Sequence, residues 1–153
     1  MLPEDDANRQ LAIGFRMDPS VTAARIHVLP VAGGWVEVLN RFQSDHIADM
    51  ESRAGRYMVL LIDFDTRYDE RLTDAKNRIP EHLMDRVFFL GAWSRPEALK
   101  GAGLGSYETI GMKLAQDCRD DTDTTWNREQ LRHNAGEIAR MRETVRPILF
   151  PPA

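Results

Sequence analysis

The chain has 153 residues and a mass of 17.5 kDa, which allows one domain with a substantial core but not two ordinary domains. Its formal net charge of −4 and pI near 5.6 exclude binding to nucleic acid or anionic membranes through overall charge alone. A single cysteine, Cys118, excludes a disulfide framework. No apolar run approaches the ~20 residues that span a bilayer, and the N-terminus lacks the pattern of a signal peptide. We therefore expect a soluble, cytoplasmic protein with no membrane partner.

Three short apolar runs predict β-strands, at residues 25–31, 56–64 and 85–93. They lack a regular alternation of apolar and polar residues, which is typical of parallel strands covered by helices on both faces. Segments with the periodicity of amphipathic helices alternate with these runs, at residues 7–15, 36–47 and 72–79. This order predicts an α/β fold in three layers, with a mostly parallel, Rossmann-like central sheet.

The chain after the third predicted strand is expected to be helical. Ser106 is a suitable N-cap for one helix. A second helix is predicted near residues 127–145, with Pro147 ending it. We interpret residues 1–153 as a single domain, in which residues 1–100 form the βα core and residues 101–153 form a helical C-terminal extension.

Acidic residues follow two of the predicted strands and precede the first predicted helix. Asp63 and Asp65 come directly after the most apolar run, at the strand end where α/β sheets bind ligands. Two oxygen donors spaced in this way suit a hard cation such as Mg²⁺. Glu97 follows the next strand, and Glu4 lies within an acidic run ahead of the first helix. The alternative for all four is a role in helix capping or a strand end in contact with water.

The order of these acids resembles the Toprim domain of topoisomerases, primases and overcoming-lysogenisation-defect nucleases. Glu4 precedes a helix, Asp63 and Asp65 end the LLIDFD strand, and Glu97 follows a further strand. The chain looks most like small bacterial Toprim-like proteins of nuclease or phage-defence type, over about residues 1–100. The resemblance implies that the four acids are catalytic and that Glu4, Asp63 and Asp65 bind Mg²⁺ or Mn²⁺. It further implies a metal-dependent nuclease whose partners are nucleic acid and, as in some relatives, an ATPase.

Only the residues MLP precede Glu4, although the Toprim family places its first strand there. If that strand is absent, a second copy of the chain is expected to complete the sheet as a homodimer, because a strand gap leaves backbone groups unpaired. The DFDT stretch also resembles the first motif of haloacid-dehalogenase-like phosphatases, in which Asp63 would be the nucleophile and Asp65 the acid/base. A third interpretation is a non-catalytic Toprim-like or flavodoxin-like partner module with structural acids.

Arginines supply most of the positive charge, and two of them lie near the predicted strand ends. In the nuclease interpretation, Arg67 or Arg95 neutralises phosphate. The arginine-rich stretch at residues 128–146 is either a solvated helix face paired with glutamates or a docking face for nucleic acid or an acidic partner. Gly33 and Gly34 predict a tight turn rather than a nucleotide site.

Overall fold

The computed structural model describes residues 1–152, in which three parallel β-strands combine with eight α-helices. The strands are β1 (Leu2–Pro3), β2 (Met58–Leu61) and β3 (Val87–Leu90). The helices are α1 (Asp6–Met17), α2 (Trp35–Arg41), α3 (Ile47–Ser52), α4 (Tyr68–Asn77), α5 (Glu97–Lys100), α6 (Tyr107–Asp120), α7 (Ala135–Thr144) and α8 (Arg146–Leu149). A π-helical segment, Phe42–His46, joins α2 to α3, and 3₁₀ segments lie at Ala23–Arg25, Glu81–Arg86 and Arg132–Asn134. No helix in this part of the chain is both long and apolar enough to cross a membrane.

The sheet has the order β1-β2-β3, with β2 in the centre. Leu2 lies opposite Leu60, and Val59 lies opposite Phe88, both in parallel register. Every residue of the three strands is buried, which explains why their sequences do not alternate between apolar and polar residues. The prediction of an α/β fold with a parallel sheet is confirmed at this level.

Successive strand residues pack into two different apolar clusters, because side chains alternate between the faces of a sheet. One cluster joins α1, α6 and α7 to the strand residues Val59, Leu61, Phe88 and Leu90. The other joins α2, α3 and α4 to the strand residues Leu2, Met58, Leu60, Val87 and Phe89. Each face of the sheet is thus packed against helical side chains.

The predicted strand at residues 25–31 is wrong as a strand, although part of the segment runs beside β1. The N-terminal amine of Met1 donates to the carbonyl of His27 at 2.7 Å, and Leu29 N–H donates to the carbonyl of Met1 at 2.9 Å. The parallel pattern breaks at Pro3, which has no N–H to donate. The next bond, from Ala32 N–H to the Pro3 carbonyl, is one residue out of step with a regular ladder.

The first strand of the sheet, whose absence was considered, is present as the two residues of β1. Its outer side is covered by the segment that contains Leu29 and Ala32. On the opposite edge, Glu137 Oε2 accepts a hydrogen bond from Phe89 N–H at 3.0 Å. Neither edge of the sheet within residues 1–152 therefore presents the strand gap on which the expected homodimer was based.

The C-terminal helices differ from the prediction in where they begin and end. Ser106 is confirmed as an N-cap, since its Oγ accepts a hydrogen bond from Thr109 N–H. The last long helix begins at Ala135 rather than near residue 127. Just before this helix, the Asn134 side-chain amide accepts a hydrogen bond from Gly91 N–H and donates one to the Gly91 carbonyl. Gly91 directly follows β3, so the residues before α7 cover the end of the edge strand. Pro147 lies in the first turn of α8, where no N–H is needed, and does not end the chain's helical structure.

Helices α1 and α6 cross in direct backbone contact, which fixes α1 beside the end of the sheet. A Cβ atom at Gly14 would overlap the backbone of Glu108, and a Cβ at Gly111 would overlap the carbonyl of Leu11. Glycine is required at both positions because any side chain would push the helices apart.

Candidate functional site

Glu4 lies directly after β1, at the carboxyl end of the parallel strands. Its Oε2 accepts a 2.6 Å hydrogen bond from the backbone N–H of Asp63, the second residue after β2. The carbonyl of Glu4 accepts a bond from Gly33, whose φ of 96° turns the chain into α2. Glu4 therefore connects the end of β2 to the beginning of α2.

A single buried amide holds two further carboxylates. Asp5 is the N-cap of α1 and accepts hydrogen bonds from Asn8 N–H at 2.9 Å and from Asn8 Nδ2 at 3.1 Å. The same Nδ2 donates to Asp63 Oδ1 at 2.9 Å. Asn8 is only 2% exposed, so its orientation is fixed by these bonds. Three acids from two distant segments, Glu4, Asp5 and Asp63, thus form one group, which we call the acid cluster.

The acid cluster has unusual protonation properties. Burial raises the pKa of Asp63 to about 7; the hydrogen bond from Asn8 opposes this shift, and the charges of Glu4 and Asp5 add to it. Burial also raises the pKa of Glu4, although the bond from Asp63 N–H acts in the opposite direction. Carboxyl groups in this condition either retain a proton near neutral pH or are stabilised by a nearby cation.

Arg71 is the cation beside the acid cluster, but most of its contacts are made elsewhere. Its Nη1 donates to the backbone carbonyl of Asp63, and its Nη2 lies 3.6 Å from Asp65 Oδ2. Its guanidinium also lies over the Trp35 ring, 4.9 Å from the centroid. No ion pair joins Arg71 to a carboxylate of the cluster, whose charge is therefore only partly balanced.

Asp65, the second aspartate of the DFD motif, lies at the rim. Its side chain is 65% exposed and its φ is 49°, so the extended backbone has ended by this residue. Thr66 follows with a φ of 61°, which is unfavourable for a β-branched residue. The loop after β2 therefore separates the exposed Asp65 from the half-buried acid cluster that contains Asp63.

Glu97 begins the short helix α5 and is exposed. Burial is the main cause of a raised pKa for Tyr107, and the charges of Glu97, Asp5 and Asp63 raise it further. Lys100 Nζ lies over the Tyr107 ring, 4.3 Å from its centroid. Tyr107 thus lies within electrostatic reach of both Glu97 and the acid cluster.

The acid cluster fits a hard cation in its chemistry but not as a complete ligand cage. Within residues 1–152, no group of three or more His, Cys, Asp or Glu is arranged to hold a metal ion. Mg²⁺, however, commonly binds proteins through one or two carboxylates and keeps several waters. Glu4 and Asp63, both half-buried and close to Asp5, supply two such carboxylates.

Sequence reasoning missed several residues that build the site. Asp5 was interpreted as an ordinary cap, which it is, but it also contributes to the raised pKa of Asp63. Asn8 could have been found, because it is a polar residue in register with the buried positions Ala12 and Phe15 on one face of α1. Arg71 gave no such indication, because on sequence it is one of many charged residues in a solvated helix.

Comparisons with protein-family models, with curated proteins and with solved structures find no match to this chain. The functional argument therefore rests on the geometry of the acid cluster and on the residues around it.

Proposed function

We propose that the protein is a Toprim-like, Mg²⁺-dependent nuclease that hydrolyses nucleic-acid phosphodiesters and has a three-layer α/β architecture. The observation that carries the proposal is the hydrogen bond between Glu4 and Asp63 N–H, in a cluster where the pKa of Asp63 is raised to about 7. The site lies at the carboxyl end of parallel strands, where α/β sheets bind ligands. The order of its acids along the chain agrees with the Toprim resemblance.

In this proposal, Glu4 and Asp63 hold Mg²⁺ or Mn²⁺, and Asp5 adds negative charge behind them. When bound, such an ion activates water or stabilises the leaving oxygen of a phosphodiester. Asn8 fixes the position of Asp63 through its 2.9 Å hydrogen bond. Asp65 and Glu97, both exposed, act at the rim toward the substrate rather than as buried ligands.

Arg95 is the better of the two arginines expected to neutralise phosphate. The Arg67 guanidinium forms two hydrogen bonds with Glu70, at 3.0 and 2.7 Å, so its charge is already paired. Arg95 is exposed, and its guanidinium makes neither a hydrogen bond nor an ion pair within residues 1–152. We assign the phosphate contact to Arg95 for this reason.

The phosphatase alternative is less well supported. Asp63 must be ionised either as a nucleophile or as a metal ligand, so its raised pKa of about 7 does not separate the two interpretations. The phosphatase mechanism also needs Asp65 beside Asp63 as its acid/base, whereas the loop after β2 places Asp65 at the rim, where its side chain is 65% exposed. We therefore rank the nuclease above the phosphatase.

One observation favours the second candidate, a non-catalytic Toprim-like or flavodoxin-like partner module. Every member of the acid cluster has a structural contact: Asp5 caps α1, Glu4 accepts the Asp63 N–H, and Asp63 accepts from Asn8. These bonds would be useful to the fold without any metal. An ATPase partner belongs to either interpretation and stays a prediction.

The test is a calorimetric titration with Mg²⁺ and Mn²⁺, combined with cleavage of labelled single- and double-stranded DNA and RNA. We expect the native protein to bind the ion and cleave, and Asp63→Asn to do neither. Asp74→Asn is the matched control, because it removes an exposed aspartate on α4. Thermal unfolding of each variant establishes that it is folded. A folded native protein that binds neither ion would overturn the nuclease and favour the partner module.

A further inference from the structure

Trp93 is an exposed aromatic side chain held rigidly beside the candidate site. It follows β3 and is 37% exposed, unlike the other residues of the aromatic group described next. Its backbone N–H donates to the Gln130 carbonyl at 2.8 Å, and its backbone carbonyl accepts from Thr66 N–H at 2.7 Å. The backbone of Trp93 is thus fixed on both sides, once to the loop after β2 and once to the segment before α7.

Two other rings contact the indole ring, and a third, Phe64, packs against those two. It stacks on Tyr68, with centroids 6.2 Å apart and planes inclined by 29°. The His133 ring meets it edge to face at 5.4 Å and also contacts Phe64 and Tyr68. Burial lowers the pKa of His133, and its Nε2 lies 2.7 Å from the Gly91 carbonyl, so a neutral ring is held in place. A ring supported in this way loses little entropy when a ligand stacks on it.

Three arginines without side-chain partners lie in the two segments that meet at the Trp93 backbone. Arg95 lies two residues after Trp93, and Arg128 and Arg132 flank Gln130, whose Oε1 also accepts from Ser94 N–H at 3.0 Å. All three are exposed, and within residues 1–152 their guanidinium groups make neither a hydrogen bond nor an ion pair. Most other arginines here bind carboxylates or carbonyls, as Arg140, Arg142 and Arg86 do. Guanidinium groups without partners beside an exposed ring are available to a ligand.

Negative charge on the same surface limits what electrostatics alone can contribute. Glu129 follows Arg128, Glu97 follows Arg95 by two residues, and Asp65 lies on the neighbouring loop; all three are exposed. The arginines are therefore balanced in number by acids. A ligand that binds here must gain much of its affinity from stacking, with a few charge contacts in addition.

We propose that Trp93, with Arg95, Arg128 and Arg132, forms a stacking surface that seats an unpaired base of single-stranded nucleic acid. Bases stack on exposed aromatic rings in a sequence-tolerant way, and arginines beside the ring contact the adjoining phosphates. A base within a duplex is already stacked on its neighbours and cannot occupy the indole face. The inference rests on the proposed function, since it selects single strands as the substrate class of that same site.

The experiment measures binding of fluorescein-labelled dT and U oligonucleotides by anisotropy, in EDTA so that no cleavage occurs. We expect Trp93→Ala to weaken binding about 5- to 150-fold, the range for loss of one stacked base. Trp93→Phe keeps a ring and should retain most of the affinity. Arg128→Ala combined with Arg132→Ala should weaken binding and reduce the dependence of log Kd on log salt by about 1.4, or about 0.7 per phosphate contact. Arg25→Ala is the matched control, because Arg25 is also exposed and without a partner but lies in a different segment.

Several outcomes would overturn the stacking surface. One is that the native protein and Trp93→Ala bind single strands equally well. Another is that the native protein binds duplex and single strands with equal affinity. A third is that it binds poly-glutamate as tightly as a single strand, which would point to an acidic protein partner. The same experiments distinguish failure of the stacking surface from failure of the proposed nuclease function. Binding in EDTA without any metal-dependent cleavage retains the stacking surface and rejects the nuclease, whereas cleavage that is insensitive to Trp93→Ala does the reverse.

Discussion

Glu4 and Asp63 are 59 residues apart in the sequence, yet the Glu4 carboxylate accepts a 2.6 Å hydrogen bond from the Asp63 backbone N–H. The bond joins the residue after β1 to the end of β2. It also means that Glu4 has a role in the fold that is separable from any role in metal binding. The two roles make different demands, because the fold needs an acceptor atom whereas a cation needs a negative charge.

Substitutions at Glu4 should separate these roles. Glu4→Ala leaves the Asp63 N–H without its partner and should lower the free energy of unfolding by about 1–3 kcal/mol. Glu4→Gln keeps an acceptor oxygen and should cost clearly less, while removing the charge needed to hold a cation. Urea unfolding compares the two variants. Equal destabilisation by Ala and Gln would contradict a structural role for the bond.

The raised pKa of Asp63 predicts a pH-dependent stability in the absence of metal. Burial raises its pKa from 3.8 to about 7. The folded protein thus binds the Asp63 proton more tightly than the unfolded chain, so stability from this group is complete below pH 4 and is lost as pH rises to about 7. Asp63→Asn should therefore be as stable as the native protein near pH 4 and more stable at pH 8. After allowance for solvent at this half-buried group, we expect about 1–2 kcal/mol.

The measurement is urea unfolding in EDTA from pH 4 to pH 8, taken as the difference between native protein and Asp63→Asn. Taking the difference cancels the contributions of other groups to the pH dependence of stability. His46 and His133 are two such groups: burial lowers their pKa values, so their contribution to stability is lost as the pH falls, opposite to that of Asp63. A difference that stays constant over this range would show that Asp63 titrates normally.

The crossing of α1 and α6 should be sensitive to a single methyl group. Gly14→Ala places a Cβ against the backbone of Glu108, which cannot move as a flexible side chain can. We expect a loss of about 1–3 kcal/mol from the forced separation of the helices. Gly136→Ala, at a helical position with open space around it, is the control and should gain up to about 1 kcal/mol. Similar Tm changes for the two variants would contradict close packing at Gly14.

Glu137 should be more important to stability than its helical position suggests. It is 4% exposed, accepts Phe89 N–H at 3.0 Å and pairs with Arg140 at 2.8 Å. Glu137→Ala leaves a strand N–H and a partly buried guanidinium without their acceptor, which should cost about 3–5 kcal/mol. Glu143→Ala, an exposed glutamate on the same helix, should change stability by less than about 0.5 kcal/mol. Chemical denaturation of both variants tests this, and a mild effect at Glu137 would mean that the edge of β3 is held by other contacts.

The sequence was sufficient for the features that depend on local pattern. The buried strands β2 and β3, the helices between them and the Ser106 cap follow from apolar runs, periodicity and capping chemistry. The segment at residues 25–31 has the composition of a strand, but its pairing partner β1 contains Pro3, which interrupts the ladder. Local propensity carries no information about a pairing partner that is 26 or more residues away in the sequence.

The candidate site was predicted in part, for a similar reason. Glu4 and Asp63 come together because the end of each parallel strand lies at one edge of the sheet. Alternation along a strand predicts that Asp65 lies on the same face as Asp63. The position of Asp65 instead depends on the positive φ values of Asp65 and Thr66 in the loop after β2. Asn8 joins the site through a tertiary hydrogen bond to Asp63 that no local pattern encodes.

The crossing of α1 and α6 has a consequence for the order of assembly during synthesis. Gly14 contacts the backbone of Glu108, so α1 reaches its packing partner only after the chain has been synthesised beyond Glu108. Closing so long a loop is entropically costly, and such contacts form late in folding. Glu4, Asp5 and Asn8 flank or belong to α1. Although α1 is made well before α6, it is thus seated late, and a partly folded chain does not yet hold Glu4 and Asp5 beside Asp63.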